Sequence, residues 1–290
     1  MSRVRTIATS HAPTTTSKTT LDLRIKNPPS SLLSSAATLV TWFRIFIGHA
    51  YLYGMGLVGV IILPVLVVSQ RAREVFFAFV YMLIQRLWCS DYGIVRRVVM
   101  TGLDDLVSQD SALRERGAVR VLEVGAAYGP NLPYVRRNVE YWRLEPNVSF
   151  DEGFQKNLDA NNKVELVRTL RGHGEDMHML PDGHFDAVVI TYVLCTAIDG
   201  KKIISECKRV LRKGGRLLFA EHVGHKKGTF ARFMQDLLAP LVQYMTGGCY
   251  MNRDSGRVFQ EAGFEYVQVE EVDLDLPFQY SYHVYGVATA

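Results

Sequence analysis

Glu145 closes the apolar run in YWRLEPN, residues 141–147, and stands 20 positions after Gly125. An acid at the C-terminal end of a second strand can accept hydrogen bonds from both hydroxyls of a ribose. An exposed loop acid before the Pro146 turn would look the same locally. The matching chemistry lies in VLEVGAAYG, residues 121–129, where an apolar run turns abruptly into small residues. At a junction of strand, glycine turn and helix, backbone N–H groups face a polar ligand. Glycine there permits positive φ and close approach of the ligand. The middle of the three alternating glycine places is taken by Ala127. With negative φ its methyl group costs little; with positive φ, strain of about 1 kcal/mol is expected. A third stretch, GHGEDMHMLPDGHFDAVVI (172–190), carries Glu175, Asp176 and Met177. That turn can hydrogen-bond an adenine amino group and cover its ring, or it can be an ordinary polar loop.

The elements that must position these groups follow an α/β rhythm from about residue 100 to 290. Strands are expected near 119–124, 141–145, 164–168, 185–190, 215–221, 265–270 and 283–288. The clearest helix spans about 199–212, with Ile203, Ile204, Cys207, Val210 and Leu211 on one face and Gly214 and Gly215 expected to stop it. Hydrophobic residues make up 48% of the 290, enough for a sizeable core, and the net charge of +4 is too small and too dispersed to argue for nucleic acid. Cys89, Cys195, Cys207 and Cys249 form no CxxC pair and no His/Cys cluster with metal spacing, so reduced thiols and no metal are expected.

Two segments precede that domain. Residues 1–37 form a Ser/Thr-rich, basic tail, expected to be disordered and readable as a transit peptide or as an undirected polar tail. Residues 38–98 hold anchor and linker helices; 45–70 carry no charged residue, and YLYGMGLVGVIILPVLVVS meets the length of a membrane span. Basic residues flank the run on both sides, so charge gives no clean orientation. A hairpin bent at Pro64, or a shallow anchor, would leave both flanks in the cytosol. A second apolar stretch, residues 75–84, follows. The domain proper runs from 99 to 290.

EVGAAYG, LEPN, GEDM, FDAVVITYVLC, VLRKGG and AEHV, in that order, resemble the class I S-adenosylmethionine-dependent methyltransferases. The fuller run GEDM…DG…FDAVV…VLC…VLRKGG…EHV is similar to the small membrane-anchored methyltransferase-like 7 group, whose members include thiol methyltransferases. The resemblance covers about 119–288. It implies a Rossmann-like α/β fold, a seven-stranded mostly parallel sheet with an antiparallel seventh strand and helices on both faces, plus an N-terminal membrane-associated helix. It implies S-adenosyl-L-methionine as cofactor. Glu123, Gly125, Ala126, Ala127 and Gly129 then match the first cofactor loop, with Asn131 just beyond. Glu145, with Pro146 and Asn147 after it, matches the ribose site; Glu175, Asp176 and Met177 match the adenine-side turn. Thr191 and Tyr192 match the strand end under the methionine part. Ala127 departs from the family glycine, and Tyr128 is bulky beside it, which puts the strength of cofactor binding in doubt.

Methyl transfer from a sulfonium asks the enzyme mainly for position and exclusion of water. A thiol acceptor must also become a thiolate, which a nearby base would help. His222, directly after the fifth strand, is the expected catalytic residue, although it could instead cap the strand or shape the pocket. His173 and His184 read as solvent-facing, and Cys195 as packed. FARFMQDLLAPLVQYM (230–245) suits cover for a lipophilic acceptor or a face turned to the membrane. The expected partners are a lipophilic small molecule and membrane lipid. The implied location is a membrane, endoplasmic reticulum or lipid droplet, with mitochondria the alternative and the catalytic domain facing the cytosol. Methylation of a lipid, quinone or sterol is the rival enzyme reading. A degenerate, anchored interaction module is the non-enzyme one. An NAD-dependent oxidoreductase leaves GEDM and VLRKGG without a role.

Overall fold

The apolar runs pair into one sheet in the computed structural model, which describes residues 23, 25 and 35–290. The strands are β1 (Val119–Val124), β2 (Val139–Leu144), β3 (Val164–Leu170), β4 (Phe185–Thr191), β5 (Leu211–His222), β6 (Tyr266–Asp273) and β7 (Tyr282–Thr289). Their order is β3-β2-β1-β4-β5-β7-β6. β1 to β5 are parallel, and β7 inserts antiparallel between β5 and β6. Central strands of a parallel sheet are covered on both faces. That is why β4 reads FDAVVIT with every residue buried. The order reverses between β1 and β4, and a crevice opens at such a switch point beyond the C-terminal strand ends.

The helices are α1 (Ser35–Val68), α2 (Gln70–Leu87), α3 (Cys89–Met100), α4 (Ser111–Glu115), α5 (Asp151–Asp159), α6 (Gly200–Val210), α7 (Phe230–Met245) and α8 (Ser255–Glu261). On one side of the sheet Trp88, Tyr92, Val95 and Val99 of the α3 segment join a core with Val121, Val189 and Tyr285. On the other side α6 contributes Ile203, Ile204, Cys207 and Val210, the face expected from the sequence. Phe259 of α8 stacks on Phe219 there, with ring centroids 3.8 Å apart.

Two boundaries differ from expectation. α6 ends at Val210, and the chain enters β5 at Leu211, so Gly214 and Gly215 do not stop the helix. They sit inside β5, where Gly214 takes φ +74° and the register with β4 slips between Phe185 and Ala187; the glycines serve a bulge. β2 ends at Leu144, which leaves Glu145 as the first residue past the strand.

Trp42–Val68 of α1 is long and apolar enough to cross a membrane, since 27 residues span about 40 Å of helix. Trp42, Phe46, Ile61 and Val68 expose their apolar side chains. The same helix also packs on the rest of the chain: Gly48 backs onto the Trp88 ring, and Gln279 Nε2 donates to Tyr53 Oη at 3.2 Å. Pro64 stays within α1, and the turn to α2 comes at Ser69, whose Oγ accepts from Ala72 N at 3.2 Å. The expected tail, 1–37, lies almost wholly outside the described residues. Among its described residues, Leu23 is buried in the core, where its carbonyl accepts from Tyr285 Oη at 3.0 Å, and Ile25 packs against that core.

Candidate active site

The glycine loop leaves β1 in a strained conformation that its neighbours enforce. Gly125 takes φ +67°, and a Cβ there would lie 2.4 Å from Val193 Cγ2, so only glycine fits. Ala127 takes φ 45°, the left-handed region that costs an L-residue about 1–2 kcal/mol. Its N–H donates to Glu145 Oε2 at 2.8 Å, and its carbonyl accepts from Arg143 Nη2 at 2.8 Å. Its methyl group packs with Ala78 and Phe150. Strain of this kind persists where surroundings over-determine the backbone. Arg143 is itself buried, paired with Asp151 at 2.7 Å and lying 4.2 Å over the Phe154 ring. Ala126 is fully buried beneath, and Gly129, φ +76°, finishes the turn.

Glu145 is 5% exposed, and each carboxylate oxygen is fixed by a backbone amide, Oε2 by Ala127 and Oε1 by Asn147 at 2.9 Å. Burial raises its pKa, and those two N–H groups oppose the shift. Each oxygen keeps a second lone pair for a ligand hydroxyl. Asn147 Nδ2 donates to the Glu74 carbonyl at 2.9 Å and so ties the site to α2. Gly125, Ala127, Glu145, Pro146, Asn147, Glu175 and Tyr192 line one cleft of about 950 Å³. An acceptor carboxylate held at a loop with left-handed turns, in a cleft of that size, fits the nucleoside end of S-adenosylmethionine.

Of the GEDM turn, Glu175 borders the cleft and accepts from Ile198 N at 2.9 Å. Asp176 is exposed and bonded to His178 Nδ1 at 2.8 Å, which lowers its pKa. Met177 is wholly buried in the sheet core, its N–H donating to Glu206 Oε2 at 2.9 Å. His173 is exposed at the cleft rim, whereas His184 is half-buried, edge-on to Trp142 at 5.5 Å, rather than solvent-facing.

Beneath the loop lies a buried polar network. Glu123 Oε1 accepts from Asn131 Nδ2 at 2.8 Å, and Tyr141 Oη donates to Oε2. Burial raises the Glu123 pKa against these bonds. Asn131 Nδ2 lies 2.9 Å from Thr191 Oγ1. Arg96 Nη1 reaches Asn131 Oδ1 at 2.7 Å and Thr191 Oγ1 at 3.0 Å. Glu123, Asn131 and Thr191 thus brace the cleft floor. Arg96 is a site residue that sequence reasoning missed; its only signal is a charge inside the apolar stretch GIVRRVVM. Phe77 and Tyr81 of the second apolar stretch, too, line the cleft.

Tyr192 takes φ 61°, an uncommon conformation for a bulky residue and one that clusters at functional sites. It borders the cleft and also a second cavity of about 60 Å³. His222 lines that cavity at the end of β5, stacked on Tyr192 with centroids 6.4 Å apart. Its Nε2 lies 3.2 Å from Cys249 Sγ. Burial works against a proton on His222, and the Glu221 carboxylate beside it works for one. Burial pushes Glu221 up to about 7, opposed by the Val193 and Leu194 N–H groups, each 2.8 Å away. Cys195 is buried as expected, and its hydrogen bond to Cys249 and its burial keep it a thiol. The sequence has no His/Cys cluster with metal spacing, yet folding brings three such residues together. Donor atoms of Cys195, His222 and Cys249 all lie within 4.8 Å of one another.

Residues 122–219 match the methyltransferase domain family model. Thiol S-methyltransferase TMT1A of Homo sapiens is 31% identical over 173 residues, which cover 59% of this chain and 71% of that protein. Thiol S-methyltransferase TMT1B of Homo sapiens is 34% identical over 154 residues, 53% of this chain and 63% of that protein, so the chain spans just under two thirds of it. Among solved structures, geranyl diphosphate methyltransferase in complex with GPP and sinefungin superposes with TM-score 0.50 at 13% identity, over 67% of this chain and 76% of that one, a likeness of fold.

Proposed function

The chain belongs to the S-adenosylmethionine-dependent methyltransferase family that includes the thiol S-methyltransferases, and from that premise we propose that it methylates the sulfur of a lipophilic small-molecule thiol at a membrane surface. The observation that carries the reading is the second cavity. Trp88, Tyr92, Tyr280 and Leu276 make it apolar, His222 and Cys249 give it a polar end, and Tyr192 stands between it and the cofactor cleft.

S-adenosylmethionine, when bound, supplies a methyl group on a positively charged sulfur. Glu145 accepts from the ribose hydroxyls, and Glu175 faces the adenine end. Gly125 and Ala127 let the loop backbone approach the ligand; Glu123, Asn131, Thr191 and Arg96 hold the floor. Asp176 and Met177 shape the adenine-side turn through His178 and Glu206 rather than by lining the cleft. The apolar wall excludes water, and His222 favours the thiolate form of the acceptor. The exposed Phe230, Phe233 and Leu237 of α7, a helix packed beside α1, support a membrane-facing entrance for a lipophilic substrate. Interfacial anchoring of this kind buries one apolar helix face among headgroups.

The test supplies the full chain in lipid vesicles with methyl-labelled cofactor and matched aliphatic thiol, alcohol and amine acceptors. Label in the thioether alone is the expected result. Label in the alcohol, the amine or vesicle lipid would overturn the thiol assignment, and no transfer beside tight cofactor binding would favour the interaction module.

A further inference from the structure

Cys195, His222 and Cys249 stand 27 residues apart from one to the next, yet they meet at one end of a cavity that the cofactor chemistry does not require. Cys195 follows β4, His222 ends β5, and Cys249 lies in the turn after α7. All three are buried, at 3%, 5% and 6% exposure. We propose that they form a soft-metal site of Cys2His type, with zinc as its natural class of ion and the fourth position left open to the acceptor's sulfur.

Geometry supports this first. A tetrahedral zinc ion with sulfur ligands at about 2.3 Å and nitrogen at about 2.0 Å sets ligand-to-ligand separations of about 3.6–3.8 Å. Here Cys249 Sγ and His222 Nε2 are 3.2 Å apart, and every donor pair is within 4.8 Å. Closing the site asks the Cys249–His222 pair to open by about 0.4 Å and a pair at the 4.8 Å limit to approach by about 1 Å. Charge supports it next. Two thiolates and a neutral imidazole cancel the charge of a divalent ion, so the site as a whole is neutral and avoids the penalty of an isolated buried charge. The donor set selects zinc or monovalent copper over magnesium or calcium. Three protein ligands with a vacant fourth place are the pattern of catalytic zinc sites, whereas structural sites are closed by four. Among the described residues the group contains no fourth cysteine, histidine or carboxylate.

The position of the site gives the ion a task. Phe77, Tyr81, Tyr192 and Thr196 border both the cavity and the cofactor cleft, so the cavity that holds the three donors adjoins the cleft. A thiol that coordinates zinc is deprotonated outright. On that account the acceptor's S–H bond breaks and its proton leaves to solvent base. The sulfur pair then forms a bond to the methyl carbon, while the methyl–sulfonium bond breaks and its electrons stay on the cofactor's sulfur. The acceptor part of this inference rests on the thiol reading above; the metal site does not. His222 then acts by ligation, and a single histidine with no metal would not need two cysteines beside it.

The full chain, purified under reducing conditions without chelator, is titrated with zinc alone and, separately, with cobalt(II) as a spectroscopic probe. About one equivalent is expected to bind, with the thiolate-to-cobalt charge-transfer bands of a tetrahedral site. Cys195→Ser and Cys249→Ser should each weaken binding at least about tenfold, while Cys207→Ser, at a cysteine on the buried face of α6, should not. Calorimetric binding of S-adenosylmethionine to each variant, unchanged, shows that it is folded. Removal of zinc by chelation should abolish thiol methylation and spare cofactor binding. No zinc uptake by the reduced chain, or cobalt bands that survive both serine variants, would overturn the site. Full thiol methylation by metal-free protein would overturn the metal's role and leave the thiol reading intact. Zinc bound by all three residues with no thiol methylated would uphold the site and remove that reading.

Discussion

Replacing Ala127 by glycine removes one methyl group from a backbone held at φ 45°. Relief of the left-handed conformation is worth about 1–2 kcal/mol. Against it stand the loss of one buried methyl group, about 0.8 kcal/mol, and the extra freedom of glycine in the unfolded chain, about 0.5–1 kcal/mol. The burial loss is real, because Ala127 is 7% exposed and packs with Ala78 and Phe150. The terms cancel to within about 1 kcal/mol either way. The loop geometry should also hold, since the Ala127 amide and carbonyl remain bonded to Glu145 and Arg143. Chemical denaturation should therefore place Ala127→Gly within about 1 kcal/mol of the native chain. Calorimetry should show a change of less than about fivefold in S-adenosylmethionine affinity. A gain beyond about tenfold, which is about 1.4 kcal/mol, would refute the reasoning and show that the alanine impairs the site.

Gly125→Ala in the same loop should behave oppositely. Its Cβ would sit 2.4 Å from Val193 Cγ2 at φ +67°, so strain and overpacking of about 2–4 kcal/mol should lower the melting temperature and abolish cofactor binding; an unchanged thermal midpoint would contradict this. Glu206 should contribute an acid-side slope to stability. Its hydrogen bond from Arg209 holds its pKa below the usual range, so its contribution is complete above the unfolded value and drains as pH falls through the lower folded value. Glu206→Gln should flatten the stability profile below about pH 4.3, as read by urea midpoints. The double change Phe233→Ser, Leu237→Ser removes two side chains that are each 60% exposed; vesicle sedimentation should show membrane affinity down at least about tenfold, with the melting temperature unaltered.

The parts of the site that the sequence discloses are those built from near neighbours. A buried run that breaks into small residues specifies β1 and its turn, and an acid one strand later specifies Glu145, because each signal is contained within a few residues. Strand order then follows from the connectivity of such units. Two things escape. The Cys195, His222 and Cys249 group depends on β4 and β5 being neighbours and on the return of the chain after α7, and no short spacing encodes that. Tyr81 of α2 and Arg96 of α3 reach the site from segments whose apolar composition reads as linker and anchor, while Arg96 turns inward to donate to Thr191, Asn131 and the Tyr81 hydroxyl. Met177 fails for a different reason. Its place in the chain suits a ring cover, but a fully apolar side chain next to the sheet gains more from the core, where it is 0% exposed. Gly214 and Gly215 end a helix by pattern, yet the alternative use of paired glycines in a strand bulge wins because Leu211 already pairs with Phe185.

We propose that the cleft at the end of β1 and β2 binds S-adenosylmethionine through Glu145. Calorimetry of the full chain beside Glu145→Ala tests it most directly. Glu145 pins the Ala127 and Asn147 amides and keeps free lone pairs toward the cleft, so micromolar binding by the native chain and a loss of at least about 2 kcal/mol, roughly thirtyfold, in the variant are expected. Native-strength binding by Glu145→Ala, or no binding by the native chain, would contradict it.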